Sequence, residues 1–184
     1  MPRSKRETYR LSAALIERAH DFGISFVWPG IEPVRRGNCI DLNLLHSAAE
    51  QPYQECFGQE LYPTLAAKAA YLFYHLASGH VFGNGNKRTA AVCLDTFITA
   101  NGWYLTLSND EVHDLAQAVA SAGERNVRFA DELKRITELI EENVIPISAF
   151  RVADPRVYRR LHAYKNMIRK SSINRTNYPL SQEW

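Results

Sequence analysis

The stretch that most limits the fold runs from residue 65 to residue 100. Its first part, 65–79, is apolar almost all round a helical wheel, with Leu65, Ala66, Ala69, Leu72, Phe73, Leu76 and Ala77 leaving no clear polar stripe. A helix of that kind is buried rather than laid on a surface. Its last part, 89–100, is again good helix-forming sequence, and Asn101-Gly102 predicts a left-handed stop. Two such helices in succession need other amphipathic helices to cover them. The chain has the material, since 46% of its 184 residues are hydrophobic. The expected fold is all-α, a helical bundle with a loop between two central helices.

That loop reads His80-Val81-Phe82-Gly83-Asn84-Gly85-Asn86-Lys87-Arg88, and nothing else in the chain sets so many polar groups between apolar helices. Gly83 and Gly85 permit a sharp turn and close approach of a ligand to the backbone. The second helix is expected to begin near Asn86, so its first N–H groups have no intrahelical acceptor. Free N–H groups at the positive end of a helix dipole form an anion site. Lys87 and Arg88 stand in that first turn, where a cation is unfavourable by roughly 0.3–1 kcal/mol. An anion, above all a phosphate, offsets the penalty. Arg88 would grip it with a planar fork and Lys87 as a point charge. His80 can take up a proton near neutral pH. A base beside a phosphate cradle points to phosphoryl or nucleotidyl transfer to a hydroxyl. A tight helix–loop–helix turn with solvated polar residues satisfies the same spacing.

The string resembles the signature of the Fic/Doc superfamily, specifically its Doc (death-on-curing) branch, H-x-F-x-[D/N]-[A/G]-N-K-R. His80, Phe82, Asn84, Gly85, Asn86, Lys87 and Arg88 fill every specified position. The broader Fic pattern, H-x-F-x-[D/E]-G-N-G-R-x-x-R, differs at three places: Asn84 for the acid, Lys87 for a Gly and Ala91 for the second Arg. The resemblance in helix order covers about residues 11–143. It implies that His80 is the general base, that Phe82 anchors the loop and that Asn84 handles Mg²⁺. Gly85, Asn86, Lys87 and Arg88 would hold the phosphates of ATP. An amide oxygen carries no charge, so Mg²⁺ should bind more weakly at Asn84 than at an Asp.

The activity so implied is that of a Doc-like toxin, a protein kinase moving the γ-phosphate of ATP to a Ser or Thr hydroxyl of a translation factor, with elongation factor Tu implied by the family. Two other readings stay open. One is a Fic-like transfer of AMP to a protein hydroxyl. The other is a degenerate, non-catalytic binding module. Lys87 separates the first two, because the AMP-transferring pattern has a Gly there and a second Arg where Ala91 stands. Intact His80 and Arg88 speak against the third. Some Fic proteins carry an inhibitory helix with the motif [S/T]-x-x-x-E-[G/N]. Residues 137–143 miss it by one position, with Glu138 where Ser or Thr is needed before Glu142. A separate antitoxin is the implied restraint.

The remaining elements follow from pattern. Residues 11–22 predict a helix capped by Ser12, with Leu15, Ala19 and Phe22 as its stripe and His20 at a surface or boundary position. Residues 23–40 are irregular, with Trp28-Pro29-Gly30 on a wrap over the core. Asp41 caps a second helix, with Leu42, Leu45, Ala48 and Ala49 inward. Residues 53–63 stand where Fic-like proteins carry the flap that holds the target chain. Residues 103–107 predict an extended piece. Ser108 and Glu111 form a capping box opening a helix to about Ala122, with His113 solvated. Phe129, Leu133, Ile136 and Ile140 mark another helix, and His75 reads as packing within its own.

The domain reading is a flexible N-terminus over 1–10, a Fic/Doc-like domain over 11–145 and a basic C-terminal extension over 146–184. The extension carries eight Lys or Arg against two acids, a net +6, while the rest of the chain is at −4. Asp154-Pro155 starts a helix there, and Val157, Leu161, Tyr164 and Ile168 repeat at helical spacing. Such a helix docks on the bundle or serves as an arm for an acidic partner, an antitoxin or nucleic acid. The overall charge of +2 is too small to argue for nucleic acid by itself. No apolar run of membrane-spanning length and no secretory h-region is expected. Cys39, Cys56 and Cys93 lack metal-type spacing, and a reducing cytoplasm is the expected setting.

Overall fold

A computed structural model describes residues 8–22, 38–123 and 125–149, together with 155, 156 and 159. Among these residues it is all-α, with six helices and two short antiparallel ribbons. The helices are α1 (Ala13–Phe22), α2 (Leu42–Glu50), α3 (Leu65–Ser78), α4 (Asn86–Ala100), α5 (Asn109–Ala120) and α6 (Phe129–Glu142). The apolar run becomes α3, and Ala69, Ala70, Phe73 and Leu76 on it are fully buried. Its small residues let neighbours approach closely. α4 packs along it, and α2, α5 and α6 cover its other sides. α1 and α5 cover α4, whose Cys93, Leu94, Phe97 and Ile98 are sealed in the core. Burial pushes the Cys93 thiol far up, as expected of a core cysteine.

Local chemistry sets the helix boundaries. Thr64 caps α3 by accepting from the Ala67 N–H at 3.0 Å. Asp41 caps α2 through the Leu44 N–H at 3.0 Å. Ser108 and Glu111 form the expected capping box at α5. Gly102, at φ +87°, supplies the left-handed stop after α4. The chain then forms β3 (Trp103–Leu105), which pairs with β4 (Val144–Pro146) in the register Trp103↔Pro146.

Four expectations change. Leu42 is not inward: it stands at the first turn of α2, 60% exposed, and Leu45, Ala48 and Ala49 do the burying. The phase of α1 is turned so that Ile16 and His20 point inward while Leu15 and Ala19 sit at the rim. Residues 9 and 10 are docked rather than flexible. The Tyr9 N–H donates to Asn101 Oδ1 at 2.8 Å, and Arg10 lies 4.3 Å over the Tyr53 ring. The boundary at 145/146 falls inside β4, and the folded unit continues through Ile147, which is 5% exposed and donates its N–H to Gly102 O at 3.0 Å. Of the expected C-terminal helix, Pro155, Arg156 and Arg159 are helical, and the rest lies outside the described residues, as does the wrap carrying Trp28.

Candidate active site

The motif loop is held from three directions. On its upstream side Gly79 ends α3, and a Cβ there would collide with the His75 carbonyl. His80 follows, exposed to solvent. Val81 and Phe82 then turn into the core, each 1% exposed. From the side, residues 38–41 pair with the loop. Ile40 N–H donates to Val81 O at 2.9 Å, Gly83 N–H to Asn38 O at 3.0 Å, and Cys39 bridges Phe82. Gly83 lies close under this side contact: a Cβ on it would come within 2.7 Å of the Asn38 side-chain amide, which would have to swing aside. From below, Phe82 stacks flat on the His20 ring of α1, with centroids 3.9 Å apart and planes 4° from parallel.

Asn86 clasps the loop across its base. Its Oδ1 accepts from the Phe82 N–H at 2.9 Å and its Nδ2 donates to Phe82 O at 2.7 Å. Both ends of that amide are thereby engaged, and the second N–H of Nδ2 and the backbone N–H of Asn86 remain as donors. Gly85 precedes the helix at φ +80° and ψ 8°, a left-handed conformation that costs other residues roughly 1–2 kcal/mol. It has no side chain with which to cap α4, and among the described residues no side-chain cap hydrogen bond is made there. The Thr89 N–H makes the first intrahelical bond, to Gly85 O at 2.9 Å. The N–H groups of Asn86, Lys87 and Arg88 precede it and are the open end of the helix.

The side chains around this end divide by role. Arg88 is half-buried, and its buried Nη1 has no hydrogen-bond partner among the described residues. An orphaned guanidinium donor beside an uncapped helix N-terminus fits a phosphate. The Lys87 ammonium donates to Gln117 Oε1 of α5, which fixes its charge against that helix. Asn84 turns its Oδ1 back to accept from the Gly85 N–H at 2.6 Å. No group of three His, Cys, Asp or Glu suited to a metal occurs among the described residues. Mg²⁺ held at Asn84 would take its remaining ligands from phosphates and water, with a neutral amide where the ion more often has a carboxylate.

The segment before α3 has the form of a flap. β1 (Glu55–Cys56) and β2 (Gln59–Glu60) make a tight antiparallel hairpin. Phe57, at φ +52°, and Gly58, at φ +75°, form its tip, and the Phe57 ring is fully exposed. Lys68 of α3 straps the hairpin down. Its side chain is 6% exposed, and its ammonium meets Glu60 Oε2 at 2.7 Å and donates to the Tyr62 carbonyl. Tyr62, Tyr71, Tyr74, His75 and Phe129 form a ring cluster beside it, with Tyr71 and His75 4.2 Å apart. His75 is a packing residue as expected, and burial lowers its pKa from the usual 6.5.

All seven motif residues therefore lie on one turn of chain, and the structure adds partners that the motif did not reveal, His20, Asn38, Thr89 and Gln117, while Lys68 anchors the neighbouring hairpin. His20 is 1% exposed, against the expectation of a surface or boundary site. The sequence did hold one signal for it, since His20 falls four residues after Ile16 and so shares its face.

The fold and site define a class by geometry: an all-helical bundle whose central helix pair presents an Arg-bearing helix N-terminus beside an exposed histidine. Residues 6–98, half of the chain, match the model of the Fic/DOC family, and the chain belongs to that family. It is similar to Toxin Doc of Mycolicibacterium smegmatis, 39% identical over 83 residues. Those residues are 44% of this chain and 64% of that relative, so the chain spans less than two thirds of the relative's length. No solved structure matches.

Proposed function

We propose that the protein is a Doc-like toxin that transfers the γ-phosphate of ATP to a Ser or Thr hydroxyl of a translation factor. Elongation factor Tu is the target the family implies. The observation that carries the reading is the open N-terminus of α4, with its left-handed Gly85 and the unpartnered Nη1 of Arg88, beside solvent-exposed His80. His80 takes the proton of the attacking hydroxyl. The N–H groups at the start of α4 and the Arg88 guanidinium hold phosphate oxygens, and Lys87 adds its charge from the α5 side. Asn84 Oδ1 would contribute one ligand to Mg²⁺, which when bound neutralises phosphate charge. Phosphoryl transfer relies on positioning and charge neutralisation, which these groups supply together. The hairpin over 55–60 holds the target chain near His80.

The experiment is a transfer assay in cell extract with ATP labelled at the α- or the γ-phosphate, followed by the intact mass of the modified protein. Movement of the γ label and a gain of one phosphate is expected. Movement of the α label with a gain of one AMP makes the protein an AMP transferase instead. A separate antitoxin restrains the activity, and the basic segment 146–184 is where an acidic partner, that antitoxin or nucleic acid, would bind. No helix among the described residues is long and apolar enough to cross a membrane. The proposed setting is the cytoplasm.

A further inference from the structure

The sequence gives His20 no role, yet it occupies the most constrained histidine site in the described structure. It is 1% exposed, it stacks on the motif's Phe82, and its Nδ1 lies 2.8 Å from Thr89 Oγ1 on the first turn of α4. Thr89 in turn holds Gly85, the residue that aims the open helix end. Its hydroxyl lies 3.0 Å from Gly85 O, and its N–H donates to the same oxygen at 2.9 Å. One hydroxyl proton cannot serve both neighbours. Donated to Gly85 O, it leaves the Thr89 oxygen to accept from His20, which must then carry its proton on Nδ1. That arrangement satisfies every donor in the chain of contacts. It also leaves His20 Nε2 as a bare lone pair, and Nε2 has no partner among the described residues. The opposite tautomer would bury an unpaired N–H under the positive field of Arg88.

We propose that His20 is a positioning residue for the phosphate site, held as the neutral Nδ1–H tautomer, which fixes Gly85 through Thr89 and Phe82 through its ring. Its two contacts fall on either side of Gly83 and Asn84, so one side chain of α1 sets both ends of the turn. The relay directs the Gly85 carbonyl into the helix, and the N–H groups of Asn86, Lys87 and Arg88 are thereby aimed outward. Charge on the imidazole would keep the Nδ1–H and add a second, buried N–H at Nε2, which has no partner among the described residues. Burial disfavours that charge most, Asp21 of the same helix favours it, and Arg88 of α4 disfavours it. The inference rests on reading the α4 N-terminus as a phosphate site.

Two measurements test it on the full chain. The first is the ¹⁵N NMR spectrum of the imidazoles at pH 7.5, in which His20 is expected to show a protonated Nδ1 and a bare Nε2. A His20 protonated on Nε2 overturns the relay. The second is calorimetric binding of ATP with Mg²⁺ to the wild type and to Thr89→Val, Thr89→Ser and His20→Phe. Thr89→Val keeps shape and removes the hydroxyl, whereas His20→Phe keeps the stack and removes the donor. Each is expected to weaken ATP binding at least fivefold, and the double variant no more than either alone. Thr89→Ser is expected to recover most of the loss. If His20→Phe fails to fold, Thr89→Val against Thr89→Ser still decides. Folded variants that bind ATP as the wild type does overturn the proposal alone. A wild type that binds no ATP overturns the phosphate-site reading and this proposal with it.

Discussion

At the scale of single residues, His80 is the clearest case of chemistry legible in the chain. It is exposed and makes no contribution to the core, so removing its ring should leave the fold alone. His80→Ala is expected to melt like the wild type and to lose transfer by about 10²–10⁴-fold, the usual worth of a general base. Equal activity in the folded variant would remove His80 from the mechanism. His20 could not be read so directly, because a histidine in an amphipathic helix is most often at its rim, and only the packing reveals the stack on Phe82. Its burial and that of His75 have a consequence for stability. Both are lowered from 6.5 in the folded state, so below that pH the unfolded chain takes up more protons. Their stabilising effect is complete above pH 6.5 and drains away as the pH falls through the depressed folded values. Each can remove up to about 1.4 kcal/mol per pH unit in that window. Denaturant titrations from pH 7.5 to 5 should show a falling midpoint, and a flat profile would contradict it.

At the scale of elements, the sequence held what local rules decide. The caps at Asp41, Thr64 and Ser108 and the stop at Gly102 all act as their residue types predict. What it did not hold was decided by contacts distant in the chain. Leu42 looked inward by spacing and faces out, because α2 docks through Leu45 and Ala48. The flap was placed by position but its form was not, since a two-residue strand has too little pattern to read. Its anchor, Lys68, sat unnoticed in an otherwise apolar run. Lys68→Met removes the ammonium of a side chain that is 6% exposed and leaves the Glu60 carboxylate and the Tyr62 carbonyl without it. The cost should be about 1–3 kcal/mol, concentrated on the hairpin. Limited proteolysis is expected to cut near Phe57-Gly58 faster in the variant, with amide exchange in α4 unchanged. Equal cutting would show that the hairpin holds itself.

At the scale of the whole molecule, the question is where the folded unit ends. Composition put a boundary at 145/146 because the charge changes sign there, from −4 over the preceding residues to +6 beyond. Packing puts it later. β4 completes the ribbon with β3, Ile147 is buried, and its N–H reaches back to Gly102, the residue that terminates α4. The charge boundary was visible because composition is additive along the chain, and the packing boundary was not, because it depends on a partner some forty residues earlier. Two truncations separate them. A chain ending at Asn143 loses β4 and the burial of Ile147, worth about 1.5–3 kcal/mol for the isoleucine alone. Its melting midpoint should fall by roughly 3–12 °C. A chain ending at Ala149 keeps both and should melt as the full chain does, with ATP binding intact. It also keeps the net −4, since residues 146–149 carry no charge. Any salt-sensitive association with an acidic partner should therefore disappear in this second chain while transfer to a target persists. If the chain ending at Ala149 instead melts low, the basic segment is part of the core, and an arm that serves only partner binding is ruled out.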